Sequence, residues 1–281
     1  MMSRIPLLAG LLVVQLLLIA LMWSGGDGQP TASRLLDFEE AAVTAVSIED
    51  GEGDAVNLVR TDEGWRIDGV PADSGKVTEV IESLAGGSAS WPVATSESSQ
   101  SRFEVTADAF QRRIRFESAS GELAVLYIGT SPGFRRVHAR AEGEDGVFSI
   151  DFGLHEVPMD PDDWLDKQLV RPEAITRVTF PEGQVLAAGE DGTWMLDGQA
   201  ADEAAAADYV DRIERLSVLG FAGPAAEDQL GEPVSLEVED ARGPHRLSFR
   251  FDEESDEYVL RSDRLPGEFT VASYIVEQIL I

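Results

Sequence analysis

Gly129, Thr130, Ser131, Pro132 and Gly133 spell the G-x-S-x-G pattern. In hydrolases that pattern presents a nucleophilic serine on a sharp turn between a strand and a helix. A strand-like run does precede it here, but Phe134-Arg135-Arg136-Val137-His138 reads as another strand, and Pro132 suits a hairpin turn. Ser131 is therefore read as a turn residue. An envelope serine hydrolase is the chemistry it would support otherwise. The only histidines are His138, His155 and His245. No two have the i, i+4 spacing of a zinc helix, and none is accompanied by the glutamate such a site uses. Asp160, Asp162, Asp163 and Asp166 form a dense group of oxygens of the kind calcium uses, without the glycine and terminal glutamate of an EF-hand. Helix capping and a solvated face account for them. Asp68 and Asp197 could be taken for a carboxylate dyad, but each precedes a glycine and reads as a turn former. No phosphate-binding glycine loop or dinucleotide fingerprint occurs. No catalytic, cofactor or metal-binding residue is assigned on these grounds.

Composition narrows the classes further. A chain of 281 residues with 43% hydrophobic and 26% charged residues is expected to fold. Its net charge of -30 argues against nucleic acid, which needs clustered lysine and arginine. The acid excess is spread along the chain, as in a mutually repelling, solvated surface. Docking of a basic partner or a cation is the sharper alternative. Lysine is nearly absent, at Lys76 and Lys167, and there is no cysteine, so disulfides and thiolate chemistry are excluded.

The elements that would position these residues occur twice. Trp65, Asp68, Gly69 and Asp73 in one stretch match Trp194, Asp197, Gly198 and Asp202 in another. Each copy reads as a strand carrying a core tryptophan, an Asp-Gly turn, and an aspartate capping a helix. The helix stripes match too: Val77, Val80, Ile81 and Leu84 against Ala206, Tyr209, Val210 and Ile213. Strands 43–48 and 175–180 precede them. Between the matching Thr44 or Thr176 and the tryptophan, the second copy is three residues shorter, which reads as a trimmed hairpin loop. Further strands are expected at 112–117, 123–129, 136–141 and 146–150, and again at 234–239, 245–251, 257–262 and 268–271. Helices near 152–157 and 272–280 close the copies. The expected fold is α+β, with mostly antiparallel strands in two tandem homologous repeats, at 35–159 and 173–281.

Residues 160–172 join the two. Asp160 followed by Pro161 suggests a capped linker helix. Trp164, Leu165 and Leu169 would pack, with Lys167 beside them. At the other end, residues 5–23 are apolar except for interruptions at Pro6, Gly10 and Gln15. At about 1.5 Å per residue they would span about 28 Å, close to the hydrocarbon thickness. Arg4 lies on one side and acidic residues begin at Asp27 on the other. This predicts a single transmembrane anchor at 1–23 with a cytoplasmic N-terminus, a flexible linker at 24–34, and the rest outside the cytoplasm. A cleaved signal peptide is the rival, but no small-x-small site follows Trp23.

These features together resemble one bacterial membrane-anchored family, known as domain of unknown function 4340. The resemblance is carried by the anchor, Leu35-Leu36-x-Phe38, the Val-Thr-x-Val-x-Ile strand, Trp-x-Ile-Asp-Gly, and Asp163-Trp164-Leu165-Asp166-Lys167. It implies a single-pass inner-membrane protein, periplasmic in bulk. Members are often encoded beside ABC-transporter components and an auxiliary protein similar to those of gliding-motility systems. The implied role is an extracytoplasmic accessory of such a transporter, contacting a permease or auxiliary subunit, with no catalytic residues to carry over. A structural or adhesive envelope protein independent of a transporter is the alternative.

Overall fold

The computed structural model describes residues 33–86, 88–89, 91–189, 191–223 and 230–280, together with Gln15. Apart from Gln15, the expected anchor at 5–23 and linker up to residue 32 lie outside the described residues. Among those described, no helix is long and apolar enough to cross a membrane.

The chain builds two large antiparallel sheets with few helices, an α+β architecture. The first holds β1 (Ala45–Glu49), β2 (Ala55–Thr61), β3 (Gly64–Ile67), β4 (Val70–Pro71), β5 (Arg112–Ser118), β6 (Gly121–Ile128), β7 (Arg136–Ala141) and β8 (Phe148–Asp151). Its order is β8-β7-β6-β5-β1-β2-β3-β4. The second holds β9 (Arg177–Thr179), β10 (Val185–Ala188), β11 (Trp194–Leu196), β12 (Gln199–Ala200), β13 (Gly220–Phe221), β14 (Val234–Asp240), β15 (Gly243–Asp252), β16 (Glu257–Ser262) and β17 (Phe269–Ala272). Its order is β12-β11-β10-β9-β14-β15-β16-β17-β13. Apart from β13, the strand order is the same in both. Helix α1 (Ser74–Ala85) follows β4, and α3 (Glu203–Glu214) follows β12; α2 (Glu97–Arg102) lies between them in the chain and α4 (Ser273–Glu277) closes it.

Alternation explains the strands. Val46 and Ile48 on β1, Val56 and Leu58 on β2, and Trp65 and Ile67 on β3 are all buried, facing the α1 side. The intervening Ser47, Asn57, Arg113 and Glu49 face outward, where Ser47 donates to Asn57 at 2.9 Å and Arg113 pairs with Glu49. That polar face holds a shallow depression of about 300 Å³. Helix α1 buries Val77, Val80, Ile81 and Leu84, one stripe at helical spacing.

Several expectations need correction. The segment 160–172 is not a regular helix: Pro161–Trp164 form one 3-10 turn, Leu165 is extended, and residues 167–170 form a further turn. Pro161 at the first position and the Asp160 side chain, which accepts the Asp162 N–H at 3.0 Å, start that turn. Leu165 then turns extended and bridges Ala72, which stops the turn continuing. The closing helices are shorter than expected: a 3-10 turn at Leu154–Glu156, and α4 with five residues. The shortening of the second sheet lies in the strands, not in the hairpin loop. β9 and β10 have three and four residues against five and seven in β1 and β2. A small subsidiary core was not expected at all. Phe103, which caps α2, and Val105 and Phe110 from a short hairpin pack on Val125 and Tyr127 of β6 and on Val147, just before β8.

Candidate functional site

The two Asp-Gly turns have the same backbone. Asp68 and Asp197 both have φ 48°, and Gly69 and Gly198 have φ 84° and 81°. Two consecutive left-handed residues make the type I′ turn that matches the twist of a two-residue hairpin, and Asp-Gly tolerates it best. Asp73 accepts the N–H groups of Gly75 and Lys76, each at 3.0 Å; Asp202 accepts that of Ala205 at 2.9 Å. These aspartates are turn and cap residues, and Asp68 and Asp197 sit in different sheets, so they form no dyad.

The tryptophans differ. Trp65 is buried at 5% exposure, while Trp194 is only half-buried. Both pack on the core, Trp194 less deeply than Trp65. The first hairpin also has a covered outer edge. Trp164, at 0% exposure, and Leu165, at 2%, lie against the first sheet's free edge beyond β4. Leu165 bridges Ala72 in antiparallel fashion, the Asp73 N–H donates to the Trp164 carbonyl at 2.8 Å, and the Asp166 N–H donates to the Pro71 carbonyl at 3.1 Å. The indole N–H of Trp164 is satisfied by the Pro158 carbonyl at 3.0 Å. Lys76 donates to the Asp163 carbonyl at 2.8 Å and stands 4.8 Å from the Trp164 ring centroid, a cation–π contact.

The same segment grips the second sheet. Asp162 accepts the Phe221 N–H at 2.7 Å, the Val218 N–H donates to the Lys167 carbonyl at 2.8 Å, and the Lys167 ammonium donates to the Leu219 carbonyl. Gly220 permits this approach, because a Cβ there would lie 1.9 Å from an Asp162 carboxylate oxygen. The only two lysines of the chain thus both fasten this segment. Leu169 and Val170 carry the apolar core onward, so that one cluster spans both sheets.

Several of the residues suspected of chemistry have structural partners. The Ser131 hydroxyl donates to the carbonyls of Gly133 and Arg136, both at 2.7 Å, inside a turn between β6 and β7. No histidine among the described residues shares a hydrogen bond with it. His138 is buried, with Nδ1 3.0 Å from the Thr130 hydroxyl, and burial holds its pKa below the ordinary value. Asp160, Asp162 and Asp166 accept backbone N–H groups. Among the described residues no group of acidic or histidine side chains is arranged to hold a metal.

Sequence reasoning missed one constellation. At the β14–β15 hairpin, the fully buried Asp240 carboxylate takes two hydrogen bonds from Arg264, each 2.9 Å. It also accepts the N–H groups of Arg242 at 2.9 Å and Glu173 at 3.3 Å. Burial opposes its ionisation, but the Arg264 guanidinium and these donors overcome that and hold it well below the usual carboxylate range. His245 lies beside it, 5% exposed, with Nδ1 unpartnered among the described residues. Its pKa is depressed by burial and by the neighbouring Arg264. Only the presence of two charged residues in a strand pattern could have flagged this site. In the first sheet the matching positions are Ser118 and Gly143.

No curated protein and no solved structure matches the chain. A family model described as a domain of unknown function (DUF4340) matches residues 65–233, from Trp65 on β3 through the connecting segment and α3. That is more than half of the 281 residues, and the chain therefore belongs to this family.

Proposed function

We propose that this protein is a non-enzymatic, single-pass accessory of a bacterial ABC-type transporter or envelope complex, acting outside the cytoplasm through protein–protein contacts. Residues 1–23 are its membrane anchor and 24–34 a flexible linker. Residues 35–159 and 173–281 are two copies of one duplicated unit, fastened by 160–172. The apolar run at 5–23, with Arg4 before it and acid after it, supports the topology. The shared strand order and the equal Asp-Gly turn geometry support the duplication.

One observation carries the role. Ser131, Asp160, Asp162 and Asp166 are engaged in backbone bonds that shape the fold, which supports surfaces as the working parts. Affinity purification of the full chain in mild detergent should recover a permease or auxiliary membrane subunit. Recovery of no transporter or envelope partner would sink the reading. A Ser131→Ala variant should behave as the parent does, and labelling of Ser131 by a serine-reactive probe would count in favour of a hydrolase instead.

A further inference from the structure

The two sheets end in the same hairpin, but only one of these edges is covered. In the first, the outward groups beyond β4 are the Pro71 carbonyl and the Asp73 N–H, and both bond the connecting segment. The matching groups in the second are the Ala200 carbonyl and the Asp202 N–H, beside β12. The inner bond is kept, with Ala201 N–H to the Trp194 carbonyl at 2.9 Å against Ala72 N–H to the Trp65 carbonyl at 2.8 Å. Among the described residues neither outward group has a backbone partner. The apolar surface behind them is bare as well. Leu196 is 40% exposed where its counterpart Ile67 is 2% exposed.

The first edge also tells what fills such a site: a segment that pairs antiparallel around Leu165, bonded through the Trp164 carbonyl and the Asp166 N–H, with the aromatic–aliphatic pair Trp164-Leu165 buried. The charges around the two edges differ. Lys76, which holds the acidic segment 160–166, is replaced by Ala205, and Ser74 by Glu203, next to Asp202. An acidic occupant suits the first edge and a basic one the second. The segment 160–170 of a second copy is unsuited on that ground and is already buried against its own first sheet.

We propose that the edge from Ala200 to Asp202, with Leu196 behind it, receives an extended segment of a partner protein carrying an aromatic–aliphatic pair flanked by lysine or arginine. The segment adds as a further strand, with backbone bonds giving affinity and the Leu196 surface selecting the apolar pair. This deepens the accessory reading, since it says how a partner would be held, and it rests on that reading for the partner's existence alone.

The absence of native cysteine makes disulfide trapping a clean test. The probe is a synthetic peptide of residues 158–170 with Asp160→Lys, Asp162→Lys, Asp163→Lys and Asp166→Cys. Asp166 opposes Pro71 in the first sheet, so the peptide thiol should oppose position 200. The full chain in mild detergent carries Ala200→Cys or, as control, Val59→Cys on the exposed face of β2. At equilibrium in a thiol–disulfide buffer, trapping at position 200 should exceed that at 59 by at least tenfold. Adding Leu196→Glu should abolish the excess, and the peptide with its native aspartates should be trapped at least fivefold less. Leu196→Ser guards against misfolding and should reduce the excess while leaving the thermal transition in place. Equal trapping at 200 and 59, an excess indifferent to Leu196→Glu, no preference for the lysine peptide, or preferential disulfide dimers of the chain would each overturn the proposal. Because the probe is synthetic, that failure would leave the transporter reading intact, whereas failure of co-purification would leave the edge intact.

Discussion

Trp65 and Trp194 occupy the same place in the same hairpin, yet only the first is enclosed. The hairpins share turn geometry and inner hydrogen bond, and each leads into an aspartate-capped helix. They differ in what the rest of the chain lays beside them. Burial here belongs to the neighbour as much as to the residue. A hydrophobic pattern records which face a side chain takes, but not that a segment about a hundred residues away in sequence covers the edge of one hairpin.

Removing the neighbour gives the largest contrast. Trp164→Ala should destabilise the chain by about 3–5 kcal/mol, because a fully enclosed side chain leaves a cavity at the junction of two sheets. Trp194→Ala should cost only about 1–2 kcal/mol. Urea unfolding of the full chain in detergent, followed by circular dichroism, measures both, and equal losses would erase the distinction. Next comes the fastening peculiar to the second sheet. Arg264→Ala leaves the buried Asp240 carboxylate without its guanidinium and should cost about 3 kcal/mol. The paired Asp240 has a lowered pKa, so the stability it lends is complete above about pH 4, the ordinary carboxylate range, and fades as pH falls through the folded value.

Ile67→Ala and Leu196→Ala probe the edges themselves. The first should lose about 2–4 kcal/mol and the second under about 1 kcal/mol in the free protein. The caps should differ least: Asp73→Ala and Asp202→Ala each cost about 1 kcal/mol, with Asp73 the larger since it accepts two N–H groups to the other's one. A last, small difference concerns histidine. His138 and His245 both have lowered pKa values, so both favour the fold above about pH 6.5, and that contribution is lost as pH falls towards the folded values. The loss should be greater for His245, which has no partner at Nδ1, than for His138, which has Thr130. Melting temperatures of His245→Phe and His138→Phe between pH 7 and pH 5 test it; a flatter profile for the second variant would reverse the ranking.

Local chemistry was legible in the sequence. Strands 136–141 and 257–262 fall where alternation put them, and Asp73 and Asp202 cap their helices. The connecting segment was half legible. Its Trp164-Leu165 pair is recognisably core material, and its Asp-Pro start does turn the chain. That Leu165 pairs with Ala72, between Pro71 and Asp73, depends on an edge whose position the segment itself does not encode. The same holds for Asp240 and Arg264, brought together by the pairing of β14, β15 and β16. The bare β12 edge was illegible for the complementary reason: the sequence of the hairpin is nearly that of a covered one.

The path of the connecting segment also bears on the order in which the molecule can be assembled. The first sheet's last strand, β8, lies at the edge opposite β4, and the chain must return across the sheet before Trp164 reaches Pro71 and Asp73. All eight strands are therefore synthesised before the piece that seals them. Roughly twenty residues separate β8 from Val170, about 1–4 s at ordinary rates of elongation. For that interval a nascent chain emerging from the ribosome carries an open edge of the first sheet, as exposed as the edge beside Ala200 is in the finished molecule.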